Sequence, residues 1–175
     1  MRTALFTDNL PKPTKFKIPD EFLAPPDDDA IWESSPFYHL RNRHSVSKGS
    51  IFEKIVRYYL QTEDKMKIIP GPKNGEYDFI ANDEKYELKG AFLNTSDNSY
   101  WFNQIRDEYD YKWLVLAGFD PDGRVTLYRF TREQEKTLKI FGLSHGQKDK
   151  KTGQKGFSGD KEKLQQHYWK SFLHG

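Results

Sequence analysis

Two short runs of this sequence place carboxylates and a lysine at strand spacing: Glu76-Tyr77-Asp78-Phe79-Ile80-Ala81 and Lys85-Tyr86-Glu87-Leu88-Lys89-Gly90. Side chains alternate faces along a strand. In a hairpin, one face therefore collects Tyr77, Phe79, Ala81, Tyr86 and Leu88, and the other collects Asp78, Glu87 and Lys89. A two-residue turn at Asn82-Asp83 pairs Ala81 with Glu84 and Ile80 with Lys85, which sets Asp78 opposite Glu87. Opposed carboxylates repel, and a hard divalent cation held by oxygen ligands offsets that repulsion. A three-residue turn would carry Asp78 to the apolar face and dissolve the arrangement.

The acid-x-Lys pattern alone has little weight, because it occurs five times: Glu63-Lys65, Asp83-Lys85, Glu87-Lys89, Asp110-Lys112 and Asp149-Lys151. Only Glu87-Lys89 combines strand period, an apolar middle residue and an upstream acid placed to face it. Asp110-Tyr111-Lys112 stands second, with Asp107 and Glu108 just before it. The bland alternative for Asp78, Glu87 and Lys89 is a solvated hairpin face with a surface ion pair, worth at most about 1 kcal/mol. Glu53 has its own competing account, because Ser50 with Glu53 fits a capping box.

The elements that must position these residues follow from periodicity. Residues 1–30 hold five prolines and Asp27-Asp28-Asp29 and read as an extended arm without helix or strand pattern. Ser45 to Gly49 reads as a loop, followed by a helix from Ser50 to about Gln61 with the stripe Ile51, Phe52, Ile55, Val56 and Tyr59. Met66 to Ile69 reads as a strand ended by Pro70-Gly71-Pro72. The hairpin comes next, then a polar loop at Asn94 to Asn98. Ser99 to Tyr109 is expected to be a helix with Trp101, Ile105 and Tyr109 on one face. Lys112 to Phe119 reads as a strand buried on both faces, Asp120-Pro121-Asp122-Gly123 as a turn, and Val125 to Phe130 as a strand. Thr131 with Gln134 caps a helix to about Phe141. Ser144 to Gly159 reads as a Gly- and Lys-rich loop, and Lys161 to Leu173 as a closing helix. The expected fold is α/β, with a mixed central sheet flanked by helices. One domain is divided into a lead-in (1–49), a core (50–141) and a basic loop with a C-terminal helix (142–175).

With these motifs in these elements, the sequence resembles the PD-(D/E)xK nuclease superfamily, the restriction-endonuclease-like fold. Asp78 matches the family's first acid, Glu87-Leu88-Lys89 its acid-x-Lys strand, and Glu53 its additional helical acid. The expected order across Ser50 to Phe130 matches the family's αβββαβ core. Gly75 to Asp78 is similar to the GxxD variant of recombination and repair nucleases, although Gln104 is followed by Tyr109 one place later than their QxxxY, and Tyr77 stands where the family has Pro. The resemblance implies a Mg²⁺-dependent DNA endonuclease in which Mn²⁺ substitutes. Asp78, Glu87 and the Leu88 carbonyl hold one metal, and Glu53 reaches a second. Lys89 positions water or neutralises the phosphate. Within that family, a type II restriction enzyme acting on double-stranded DNA as a homodimer comes first. A structure-specific repair or recombination nuclease follows, and a catalytically inactive DNA-binding module is the reading from another class.

Charge and composition bear on the same question. The net charge of +2 in 175 residues hides zero over 1–50, −3 over 51–130 and +5 over 131–175. Metal-binding acids repel DNA unless basic segments supply phosphate contacts. The candidates are Arg41, Arg43 and Lys48 before the first expected helix and Lys148, Lys150, Lys151 and Lys155 in the C-terminal loop. Asn103 and Gln104 suit base edges. Taken singly, each is equally a surface group. With no cysteine there is no disulfide, thiolate zinc site or cysteine nucleophile, so carboxylates with Mg²⁺ are the expected hydrolytic chemistry. The five histidines have no metal spacing, and Walker and Rossmann glycine patterns are absent, so no nucleotide cofactor is expected. The start has too short an apolar run for a signal peptide, and no stretch approaches a membrane span. A cytoplasmic location is the expectation. The 27 aromatic residues (13 Phe, 10 Tyr, 4 Trp) predict a core built largely from rings.

Overall fold

The computed structural model describes residues 12–19, 22–23, 32–106, 108–137, 144–145 and 155–175. In chain order they form β1 (Thr14–Lys15), α1 (Tyr38–Arg41), α2 (Ser45–Thr62), β2 (Ile68–Pro70), β3 (Phe79–Ala81), β4 (Glu84–Asn94), β5 (Ser99–Ile105), β6 (Trp113–Phe119) and β7 (Arg124–Thr131). Then come α3 (Arg132–Lys136), β8 (Ser144–His145), β9 (Lys155–Asp160), α4 (Lys161–Leu164), a 3-10 turn at Gln165–His167 and β10 (Tyr168–Leu173). The class is α/β with a mixed sheet, in the order β1-β10-β7-β6-β4-β5-β9-β8, with β2 and β3 branching from β4.

The hairpin register is the one its turn dictates. Asn82 and Asp83 both adopt left-handed φ, +50° and +61°, as a two-residue turn matched to strand twist requires. Phe79 pairs with Tyr86, Ile80 with Lys85 and Ala81 with Glu84. β4 then serves two neighbours along one edge: β3 at Glu84–Tyr86 and β5 at Leu93–Asn94. Along its other edge it pairs in parallel with β6 from Tyr86–Trp113 to Phe92–Phe119. Among the described residues, no strand pairs with 87–92 on the first edge, so the sheet splays open there.

Two aromatic-rich clusters lie on opposite faces of β4 and β6. On one, α2 packs Phe52, Ile55, Val56 and Tyr59 against Phe79, Tyr86, Leu88, Val115 and Phe119. A Cβ on Gly90 would collide with the Phe52 ring, so the helix seats on β4 only because that position is glycine. On the other face, β5 and β9 fold over β6 and β7, with Tyr100, Phe102 and Phe157 against Leu114, Leu116, Tyr128 and Phe130.

Several expectations are corrected. Ser45 to Gly49 is the opening of α2, not a loop. The N-cap position is His44, which makes no side-chain cap, so Ser50 lies inside the helix and makes no capping box with Glu53. Gly49 lies in the first turns of the helix, where a helical glycine costs only about 1 kcal/mol. The helix expected over Ser99 to Tyr109 does not form over Ser99–Ile105, which is strand β5, and residue 107 lies outside the described residues. Tyr100 and Phe102 are fully buried between exposed Trp101 and Asn103, and the left-handed Gln104 (φ +62°) shifts the alternation so that Ile105 is buried too. The second helix of an αβββαβ order is therefore a strand in this chain. The closing helix is short, ending at Leu164, and Tyr168–Leu173 forms β10 between β1 and β7. Its aromatic residues favour the sheet, and Phe172 stacks on Tyr59 with ring centroids 4.3 Å apart. The proline-rich arm contains a strand, β1, and its Phe16 and Ile18 join the α2-side core. Within the expected loop from Ser144, β8 and β9 pair antiparallel. The Thr131–Gln134 capping box forms, but α3 ends at Lys136, and 138–143 lie outside the described residues.

Candidate active site

Asp78 sits one residue before β3, where regular pairing stops. Its N–H donates to the Tyr86 carbonyl at 2.8 Å and its carbonyl accepts from the Gly71 N–H at 2.7 Å. A side chain at position 71 would strike the Tyr77 and Asp78 carbonyls, so Gly71 allows that approach. The Asp78 Oδ2 accepts a hydrogen bond from the Leu88 N–H at 2.7 Å. A carboxylate thus takes the place of the missing ladder rung at the open edge of β4. In a strand, a residue's N–H and C=O leave on the same side, so the Leu88 carbonyl also faces this gap.

The sequence-derived residues fall around it on both faces. Leu88 packs in the α2-side cluster, which sends its neighbours Glu87 and Lys89 to the opposite face. Asp78 lies at the edge between those faces, not squarely on the Glu87 face. Glu53 reaches the gap from α2, with its carboxylate 3.1 Å from Arg57 Nη2. Tyr77, expected beside Phe79, packs instead against the β5-side cluster, because the strand has not yet begun at that residue.

Electrostatics tie the three acids together. Burial pushes the Glu87 carboxyl up to about 7, with Asp78 and Glu53 adding to the rise and Lys89 opposing it. Burial raises Glu53 as well, followed by the charge of Asp78, with Arg57 and Lys89 pulling the other way. Asp78 is therefore the acid whose charge raises both, and Lys89 the base that opposes both. The Lys89 ammonium lies 2.5 Å from Glu87 Oε1, whose side chain is only 3 % exposed.

A cleft of ≈ 320 Å³ opens at the gap. It is lined by Glu53, Asp78, Leu88 and Lys89, and across from them by Trp101, Asn103 and Gln104 of β5. Lys48, expected among the DNA contacts, also lines it and donates to the Arg41 carbonyl at 3.1 Å. Glu87 does not line the cleft itself and is paired with Lys89, which does. Arg41 stacks over the Trp32 ring at 5.4 Å, and Arg43 follows α1 outside the cleft lining. Lys148, Lys150 and Lys151 lie outside the described residues, and Lys155 is placed by its backbone only, in β9 opposite Ile105.

The competing pair is not assembled. Asp110 pairs with Lys85 and Lys112 with Glu84, in exposed bridges at the far end of β4. Trp101 is the cleft residue that the sequence pattern missed. The alternation of Tyr100 and Phe102 with Trp101 and Asn103 was the signal that could have placed it outward.

Among the described residues, no three His, Cys, Asp or Glu side chains are drawn together as a ready metal cluster. The residues that could hold a hard divalent cation are those with oxygen donors near the gap: the carboxylates of Asp78, Glu53 and Glu87, with the Asp78 charge raising the other two, and the Leu88 carbonyl at the open edge. No helix among the described residues is long and apolar enough to cross a membrane. The chain matches no protein-family model, and no curated protein is detectably similar to it.

Proposed function

We propose that the protein is a divalent-metal-dependent DNA endonuclease of the restriction-endonuclease-like kind, most specifically a sequence-specific type II enzyme. The observation that carries this reading is the meeting of Asp78, Leu88, Lys89 and Glu53 at the one gap in the β4 edge, in a cleft open to solvent. The run α2–β2–β3–β4 supports it, although the helix expected before β6 is replaced by β5. A palindromic target would require a homodimer, and Mn²⁺ would replace Mg²⁺.

Asp78, Glu87 and the Leu88 carbonyl would hold the cation, with Glu53 reaching a second. Such a cation supplies an acidified water and neutralises charge on the scissile phosphate. The chain's own groups do the rest. The Leu88 N–H and Tyr86 carbonyl hold Asp78 in position before any ligand arrives, so little reorganisation is needed. Lys89, released from Glu87, presents its ammonium to a phosphate oxygen or to the attacking water. Lys48 at the cleft rim supplies positive charge for the backbone. Asn103 and Gln104, exposed on the facing strand, suit hydrogen bonding to base edges.

The test is incubation of the protein with plasmid DNA and Mg²⁺. Discrete fragments are expected, and Glu87→Ala or Lys89→Ala should abolish cutting while DNA binding survives. Asp110→Ala and Lys112→Ala should cut normally. Nicking or cleavage restricted to branched DNA would redirect the reading to a repair or recombination nuclease. Failure to cut with both Mg²⁺ and Mn²⁺ would leave a DNA-binding module.

A further inference from the structure

Trp101 is one of three large hydrophobic side chains left exposed among the described residues, at 48 %. Its neighbours Tyr100 and Phe102 are completely buried, so the strand turns this indole outward while spending its other rings on the core. The indole has one donor, Nε1–H, and the Asn103 side-chain oxygen Oδ1 accepts it. That bond orients the ring and leaves its π faces as the surface on offer. Gln104 holds a left-handed backbone (φ +62°) at a bulge, a conformation that side-chain-bearing residues keep only where their surroundings impose it. All three residues line the cleft opposite Asp78 and Lys89.

An oriented, exposed ring beside amide side chains has the composition of a nucleobase platform. Stacking accepts any base, because every base has a π face, and amides then read the edges of a base pulled from its stack. We propose that Trp101 stacks an unstacked base next to the scissile phosphate, so that the preferred substrate is DNA that opens readily at that step. This rests on the nuclease reading for the identity of the substrate. Unstacking costs least at mismatched or single-stranded positions, and such DNA should therefore bind most tightly.

The experiment uses the full chain in EDTA and two fluorescein-labelled oligonucleotides, a perfect duplex and the same duplex with a two-base mismatch bubble. The wild type should bind the bubble about tenfold more tightly, the contribution of roughly one stacked base. Trp101→Ala should lose that preference while keeping its affinity for the perfect duplex, and Trp101→Phe should recover most of it. As an independent readout, 2-aminopurine in the bubble should be quenched on binding wild type and not on binding Trp101→Leu. Equal binding of both oligonucleotides by the wild type, or an undiminished preference in Trp101→Ala, overturns the proposal. Plasmid cutting with Mg²⁺ in the same preparation separates the two readings. Cutting without bubble preference removes the platform alone, whereas bubble preference without cutting removes the nuclease reading and retains the platform.

Discussion

Asp78 and Leu88 are joined across the end of a strand pair by a side chain doing the work of backbone, with Oδ2 accepting the Leu88 N–H at 2.7 Å. β3 is short and stops at Phe79, yet β4 continues for several residues beyond that point. The carboxylate fills the next rung, so the edge of β4 is closed by a charge and not by another peptide. This couples site and fold, because the group that satisfies a buried amide is also the one that links Glu53 and Glu87 electrostatically.

That coupling separates two substitutions. Asp78→Ala orphans the Leu88 amide, and leaving a buried donor unmet costs about 1–3 kcal/mol. Asp78→Asn keeps an oxygen acceptor and removes a charge that both Glu53 and Glu87 feel, so its stability should equal or exceed wild type. Urea unfolding in EDTA reads both, and plasmid cleavage should be lost in each. Equal destabilisation of the two variants would show that the charge, and not the rung, holds the edge.

Glu87 makes stability depend on pH in a defined direction. Its carboxyl is raised from 4.5 to about 7 in the folded protein, chiefly by burial. The folded state thus holds this proton more tightly than the unfolded chain. The stability it contributes is complete below about pH 4.5 and is lost as pH rises through about 7. The full swing is on the order of 3 kcal/mol. In EDTA, Glu87→Gln should flatten the decline in unfolding free energy between about pH 5 and about pH 8. An unchanged slope in that variant would assign the dependence to other groups.

The hairpin that carries the candidate site was more legible in the sequence than the elements around it, for physical reasons. The pairing of Phe79 with Tyr86 and Ala81 with Glu84 followed from two local facts, strand alternation and a turn of two left-handed residues, Asn82 and Asp83, whereas Asp78 falls one residue beyond that pairing. Residues 99–105 depend on a distant partner. Trp101, Ile105 and Tyr109 carry a helical spacing, but pairing with β9 and the core positions of Tyr100 and Phe102 decide for strand. The C-terminal segment is similar, since β10 exists through its neighbours β1 and β7 and through Phe172 against Tyr59. Ser50 and Glu53 matched a capping box that α2 does not use, because the helix continues back to Ser45. That freed Glu53 to pair with Arg57 and face the cleft.

The seat of α2 on β4 is what sets Glu53 at the gap, and it rests on Phe52 against Gly90. A Cβ at position 90 would fall inside the Phe52 ring, and Phe52 is itself hemmed by Phe92 and Phe119, with ring centroids 5.1 and 4.6 Å away. The ring therefore has little room to yield. Gly90→Ala should overpack this contact at a cost of about 1–3 kcal/mol and lift the helix, drawing Glu53 from the cleft. Phe52→Leu alone should lose stability by leaving a cavity. Combined, the two changes relieve each other, so the double variant should be more stable than the sum of the single losses predicts. Urea unfolding of the four proteins closes this cycle, and cleavage activity measured alongside should recover partly in the double variant. Strict additivity would mean that Gly90 and Phe52 do not bear on one another, and that α2 is held at its distance from β4 by other contacts.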